Sequence, residues 1–332
     1  MSLVQSATTL PIVLPADAPN VRSKSTPEWT IPSSTWEALC HPRVDEVSEE
    51  VDGYFLKHWP FPNAKAEKTF IGAGFSRVTC LYFPLAKDDR IHFACRLLTV
   101  LFLIDDVLED MSFEEGEAYN ARLMPIARGH VSPDRSEPVE YIFYDLWKSM
   151  RDHDEELANE VLEPVFTFMR AQTDRTRLQI TELGRYLEYR ERDVGKALLS
   201  ALMRFSMDLH LTGEELSTMS SVEQNCSKQI SVVNDIYSWE KELLASQHGH
   251  KEGSALCSAV QVLAGSAGIN IEAAKRVLWA MTREWEREHD AMYNKAIAEG
   301  CSASVNAYIK GLEYQMSGNE LWSRTTLRYK MK

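Results

Sequence analysis

The sequence predicts an all-α fold organised as a single domain, and three observations carry that prediction. From about residue 35 onward, apolar residues recur with the 3.6-residue period of a helix face almost everywhere. No run alternates apolar and polar positions as a half-buried strand would. The periodic segments are joined by short polar or glycine-containing breaks, with no repeat of fixed period and no low-complexity block, so solenoids and linker-joined modules lose support. The 332 residues are 44% apolar, ample for a large buried core.

Taken in order, residues 1–34 contain Pro11, Pro15, Pro19, Pro27 and Pro32 and read as a flexible arm ahead of a helical domain over 35–332. The first basic residue is Arg22, so no basic stretch precedes an apolar one as a secretory signal requires. Helices are expected at 44–58, 88–110, 114–126, 136–151, 154–192, 195–211, 218–245, 254–264, 271–298 and 302–325. Turns are expected at Ser132-Pro133-Asp134, at Gly213 and at Gly265-Ser266-Ala267-Gly268, and a flexible loop at Gln247-His248-Gly249-His250. The most apolar run, Leu97 to Ile104, is eight residues long, whereas a membrane span needs about twenty, so a soluble protein is expected.

Charge and rare residues narrow the function. A net charge of −13 argues against nucleic-acid and anionic-membrane partners, although an acidic protein can still bind a polyanion through metal ions. Six cysteines without a CxxC pair indicate neither a disulfide framework nor a zinc site and fit a reduced cytoplasm. His248 and His250 share a polar loop with no third ligand nearby, and no G-x-S-x-G elbow marks a serine hydrolase.

Two motifs carry chemistry. In Asn234-Asp235-Ile236-Tyr237-Ser238-Trp239-Glu240-Lys241-Glu242, the oxygen-bearing Asn234, Ser238 and Glu242 lie at i, i+4 and i+8 on one helix stripe. Such oxygens suit magnesium, which also takes waters and substrate phosphate oxygens. Asp235 and Glu240 point away from the stripe and are expected to be solvated or in salt bridges. The second half lies 129 residues earlier, where the apolar run ends in Asp105-Asp106-Val107-Leu108-Glu109. Asp105 and Glu109 share a face and Asp106 lies one residue round; carboxylates this close repel one another unless cations intervene.

In these two strings the chain resembles the class I terpene cyclases, specifically fungal sesquiterpene cyclases of the aristolochene synthase type, over roughly residues 35 to 330. Tyr189-Arg190-Glu191-Arg192-Asp193-Val194-Gly195-Lys196 and Arg328-Tyr329 add to the likeness. Val107 and Trp239 depart from the commoner DDLLE and NDIYSYEKE strings, at positions that are not ligands. The resemblance implies a helical domain around a deep apolar cavity, Mg²⁺ (three ions) held by Asp105, Asp106, Glu109, Asn234, Ser238 and Glu242, and a diphosphate gripped by Arg190, Asn234, Lys241, Arg328 and Tyr329. Arginine suits that task because its planar fork donates two parallel hydrogen bonds.

It further implies that Gly195 breaks a helix so that the Val194 carbonyl is freed toward the reacting carbon, and that Tyr82, Phe102, Phe168 and Trp322 line the pocket. Phe102 also stands on local grounds, three residues before Asp105 and hence one turn deeper on its face. The expected reaction is ionisation of farnesyl diphosphate and closure to a bicyclic hydrocarbon such as aristolochene, by way of germacrene A. A chain-elongating prenyltransferase of related fold would carry two DDxxD motifs, and a catalytically silent all-α binding protein would show broken ones. The oligomeric state is left open, a homo-oligomer included.

Overall fold

The computed structural model describes residues 29–248 and 251–330. The chain divides between Ile31 and Pro32, and Pro32–Lys332 forms one helical unit. Among the described residues there is no strand. The helices are α1 (Val44–His58), α2 (Ala64–Ala73), α3 (Phe75–Tyr82), α4 (Ile91–Leu108), α5 (Phe113–Ala127), α6 (Pro138–His153), α7 (Glu155–Ala171), α8 (Leu183–Asp193), α9 (Lys196–Met207), α10 (Gly213–His248), α11 (Ala259–Ala267), α12 (Ile271–Ala298) and α13 (Ala303–Thr325).

The centre of the unit is α4, with twelve of its eighteen residues buried. A side chain such as Leu97 or Ile104, fully out of water, contributes about 1.5–3 kcal/mol. One apolar cluster gathers α4 with side chains of α1, α3, α6, α7, α9 and α13. A second, around Trp239, Val260 and Trp279, joins α8, α10, α11 and α12. Long α10 packs against both α12 and α13, and its C-terminal part lines one cavity with the C-terminal end of α4.

Several expected boundaries move, each for a physical reason. The two helices α2 and α3, absent from the sequence reading, meet at Gly74. Seven of the eight residues of α3 are buried, so it offers no polar face to create a period. The single helix expected over 154–192 is interrupted: Asp174 caps a short 3₁₀ turn, Arg175–Gln179, between α7 and α8. Gly213 is not a turn but the first residue of α10, because Thr212 and Glu215 bond each other's backbone N–H groups as a capping box. Ser258 caps α11, so the helix expected from 254 begins at Ala259.

Residues 1–28 of the expected arm lie outside the described residues, while its last part is tied to α12. Arg283 donates to the Pro32 carbonyl at 2.8 Å, and Ser34 donates to Glu286 at 2.9 Å. Of the expected loop 247–250, Gln247 and His248 finish α10, and Gly249 and His250 lie outside the described residues. Among the described residues no helix is long and apolar enough to cross a membrane.

Candidate active site

The buried run of α4 delivers its three carboxylates where the helix stops. Glu109 is the C-cap, and α5 restarts four residues on with a capping box between Ser112 and Glu115. The ligand oxygens of Asp105, Asp106 and Glu109 lie within 4.8 Å of one another. Burial, with Glu109 and Asp106 as neighbours, pushes the Asp105 carboxyl up to about 6. Each acid has a partner: Gln172 donates to Asp105 at 2.9 Å, Lys241 to Glu109 at 2.7 Å, and both terminal nitrogens of Arg328 to Asp106 at 3.1 and 2.6 Å.

Across the cavity mouth, α10 presents the second motif. Ser238 donates to Glu242 at 2.6 Å. Asn234 accepts from Arg190 at 3.0 Å and donates to the Tyr329 hydroxyl at 2.7 Å. Glu240 is exposed and paired with Lys275, as expected. Of the two expectations for Asp235, solvated or in a salt bridge, the structure has the second: it pairs with Arg190 at 3.4 Å, and it is fully buried and held also by Tyr186 and Ala259, because α8 and α11 pack over that side of α10.

Arg190, in the last turn of α8, bonds Asp193, and Gly195 follows with φ +76° as the break before α9. Among the described residues no hydrogen bond reaches the Val194 carbonyl. Arg328 and Tyr329 follow α13 in a turn fastened to α2, where the Thr326 hydroxyl donates to the Ala73 carbonyl at 2.9 Å and accepts from the Arg328 N–H at 3.1 Å.

One cavity is lined by Tyr82, Phe102, Phe168, Val194 and Trp322 together with Arg190, Asn234, Lys241, Arg328 and Tyr329 and with Asp105, Glu109, Ser238 and Glu242. Asp106 stands outside the lining, behind Arg328. Phe102 stacks on Phe75 at 4.5 Å and lies 6.1 Å from Trp322. The Tyr82 hydroxyl donates to Asn319 at 2.9 Å, and the Trp322 indole donates to the Ala73 carbonyl at 3.0 Å, so both rings are fixed at their polar ends.

Sequence reasoning missed Gln172, Arg177 and Asn319, all in the cavity wall. Arg177 reaches the carbonyls of Gln172 and Ala255, both at 3.3 Å, and so joins the turn after α7 to the segment before α11. That segment packs closely on the end of α4: Gly253 donates to the Met111 carbonyl at 3.0 Å, where any Cβ meets the Leu108 and Met111 carbonyls. No local pattern marks these residues, since their partners are distant in sequence. A second group of ligating side chains, Asp154, Asp208 and His210, is already served by Arg90, which donates to both aspartates at 2.9 Å.

Residues 96–288 match the family described as terpene synthase family 2, C-terminal metal binding, a stretch that holds both oxygen motifs. The chain belongs to the terpene synthase family. It is 66% identical to the aristolochene synthase of Penicillium roqueforti over 96% of this chain and 94% of that one, and 67% identical to the aristolochene synthase of Aspergillus terreus over 90% and 93%. The crystal structure of the Penicillium roqueforti aristolochene synthase superposes with a TM-score of 0.81, covering 90% of this chain and all of that one. Cucumene synthase, 18% identical with a TM-score of 0.73, shares the fold.

The donor set fits a divalent cation. Asp105, Asp106, Glu109, Asn234, Ser238 and Glu242 offer only hard oxygens, and the clustered acids lean on Lys241 and Arg328 for positive charge.

Proposed function

We propose that this protein is a magnesium-dependent sesquiterpene cyclase that ionises farnesyl diphosphate, closes the resulting carbocation to a bicyclic hydrocarbon of the aristolochene kind and releases diphosphate. The observation that carries this reading is the convergence of both oxygen motifs and the basic side chains Arg190, Lys241 and Arg328 on the mouth of one aromatic-lined cavity.

Asp105, Asp106 and Glu109 on one side and Asn234, Ser238 and Glu242 on the other would hold three magnesium ions, which would supply positive charge for the departing diphosphate. Arg190, Lys241 and Arg328 add fixed cations, and the Tyr329 hydroxyl a hydrogen bond. In the structure these groups are engaged with Asp193, Glu109, Asp106 and Asn234, so substrate entry exchanges internal ion pairs for phosphate contacts. Arg328 leaving Asp106 also unmasks the faces of Phe75 and Phe102, over which its guanidinium lies at 5.3 and 6.0 Å.

Deeper in, Phe102, Phe168, Tyr82 and Trp322 exclude water and present ring faces to the cation, each worth about 0.5–2 kcal/mol where desolvated. The Val194 carbonyl, at the break between α8 and α9, serves as a fixed dipole beside the reacting carbon. Six thiols without a disulfide suit a reducing cytoplasm.

The test is incubation of purified protein with farnesyl diphosphate and magnesium, with and without isopentenyl diphosphate, followed by mass spectrometry of volatile and water-soluble products. A bicyclic C15 hydrocarbon with one diphosphate per molecule is expected. A longer prenyl diphosphate, or no product, refutes the reading.

A further inference from the structure

Asp235 stands next to Asn234 but takes no part in the mechanism above. It is fully buried in α10. One carboxylate oxygen accepts from the Tyr186 hydroxyl at 2.5 Å and from the backbone N–H of Ala259 at 2.7 Å. Ala259 is the first residue of α11, where backbone N–H groups lack partners within the helix. Two donors from two other elements therefore fix this carboxylate. Its second oxygen lies 3.4 Å from a terminal nitrogen of Arg190.

Arg190 is held by Asp193 on one terminal nitrogen and by Asn234 and Asp235 on the other. The Asn234 oxygen is also a proposed metal ligand, and were it drawn to a cation, Asp235 would be what remains on that nitrogen. The guanidinium is a rigid planar fork with five donors, so fixing its terminal nitrogens fixes the direction of the rest. Its Nε has no partner among the described residues, although it is buried in the cavity wall.

We propose that Asp235 is a positioning residue for diphosphate recognition: anchored by Tyr186 and Ala259, it sets the plane of the Arg190 guanidinium so that the unused donors of Arg190 meet the diphosphate. The proposal rests on the reading of Arg190 as a diphosphate contact. A merely structural Asp235, tying α8, α10 and α11 together, behaves differently in one respect. Its loss adds to the loss of Arg190, whereas a residue that acts through Arg190 has nothing left to do once that arginine is gone.

The experiment is a double-mutant cycle on the full-length protein, with calorimetric titration of inorganic diphosphate in the presence of magnesium and a thermal melt of each variant. Asp235→Asn is expected to weaken diphosphate binding about tenfold beside Arg190, the scale of one hydrogen bond to a charged group. In the Arg190→Ala background the same change is expected to cost less than about twofold. Equal losses in both backgrounds, or none beside Arg190, overturn the proposal. Undiminished binding by Arg190→Ala alone removes the reading of Arg190 and the proposal with it, a result distinguishable from the others by the single variant. Should Asp235→Asn fail to fold, Tyr186→Phe goes through the same cycle, with an expected loss of about threefold confined to proteins that retain Arg190.

Discussion

Gly195→Ala perturbs the cavity without touching a metal ligand. Gly195 holds φ +76° between α8 and α9, a left-handed conformation that costs a residue with a Cβ about 1–2 kcal/mol. The added carbon also lies 3.2 Å from Cδ2 of Phe168 and 3.4 Å from Cδ2 of Leu198, tight enough that the ring must shift by a few tenths of an ångström. For a unit of roughly 300 residues the unfolding entropy is about 0.6 kcal/mol/K, so a loss of about 1–2 kcal/mol lowers Tm by about 2–3 °C. The moved ring is a proposed cation-steering face, so the hydrocarbon mixture shifts as well. Gly184→Ala is the control: nothing lies within 4 Å of the new carbon, and alanine in α8 is expected to leave Tm unchanged or raise it, with the parent product pattern. Calorimetry and gas chromatography of the products are read together. If Gly195→Ala keeps both the parent Tm and the parent mixture, the break between α8 and α9 is not constrained and Phe168 does not guide the cation.

Asn234→Leu and Glu242→Leu are expected to abolish cyclisation while circular dichroism stays helical, because both side chains line the cavity mouth rather than the packed core; loss of helicity in step with activity contradicts their role. Phe168→Ala and Trp322→Ala are expected to shift product ratios by roughly 2- to 30-fold toward acyclic or monocyclic hydrocarbons while diphosphate release survives. Trp322→Ala is also expected to melt earlier, since that indole is buried and bonded to Ala73. Arg190→Ala is expected to depress turnover far more than it redistributes products, and an unchanged mixture in both aromatic variants reduces their rings to packing. Burial pushes His289 down to about 4 from its ordinary 6.5, so below pH 6.5 the unfolded chain binds the proton that the folded chain refuses. Stability is therefore full above about pH 6.5 and falls by about 2 kcal/mol between pH 7 and 5, a dependence that His289→Gln flattens; an unaltered slope of Tm against pH contradicts this.

The fold was legible where a helix keeps one wet face and a capped end. Segments such as α12, with Asn270 as its N-cap, announce both in a single run of sequence. It was illegible where burial is complete, as in α3, and where one polar residue decides a break, as Asp174 does ahead of the 3₁₀ turn. The metal motifs were readable because helical periodicity alone aligns Asn234, Ser238 and Glu242. The support around them was not: Gln172 on Asp105, Asn319 on Tyr82 and Asp235 beneath Arg190 depend on which distant elements the fold brings together. The ion pair of Asp235 was among the expectations, but its burial was not legible, since α8 and α11 supply the groups that enclose it.

Metal dependence tests the central claim most directly, namely that the C-terminal end of α4 and the C-terminal part of α10 form one cation-assisted diphosphate site. The measurement is the rate of diphosphate and hydrocarbon release from farnesyl diphosphate after exhaustive chelation, then again as magnesium is returned. Both rates are expected to fall to background together and to recover together; undiminished turnover by the metal-stripped protein contradicts the account.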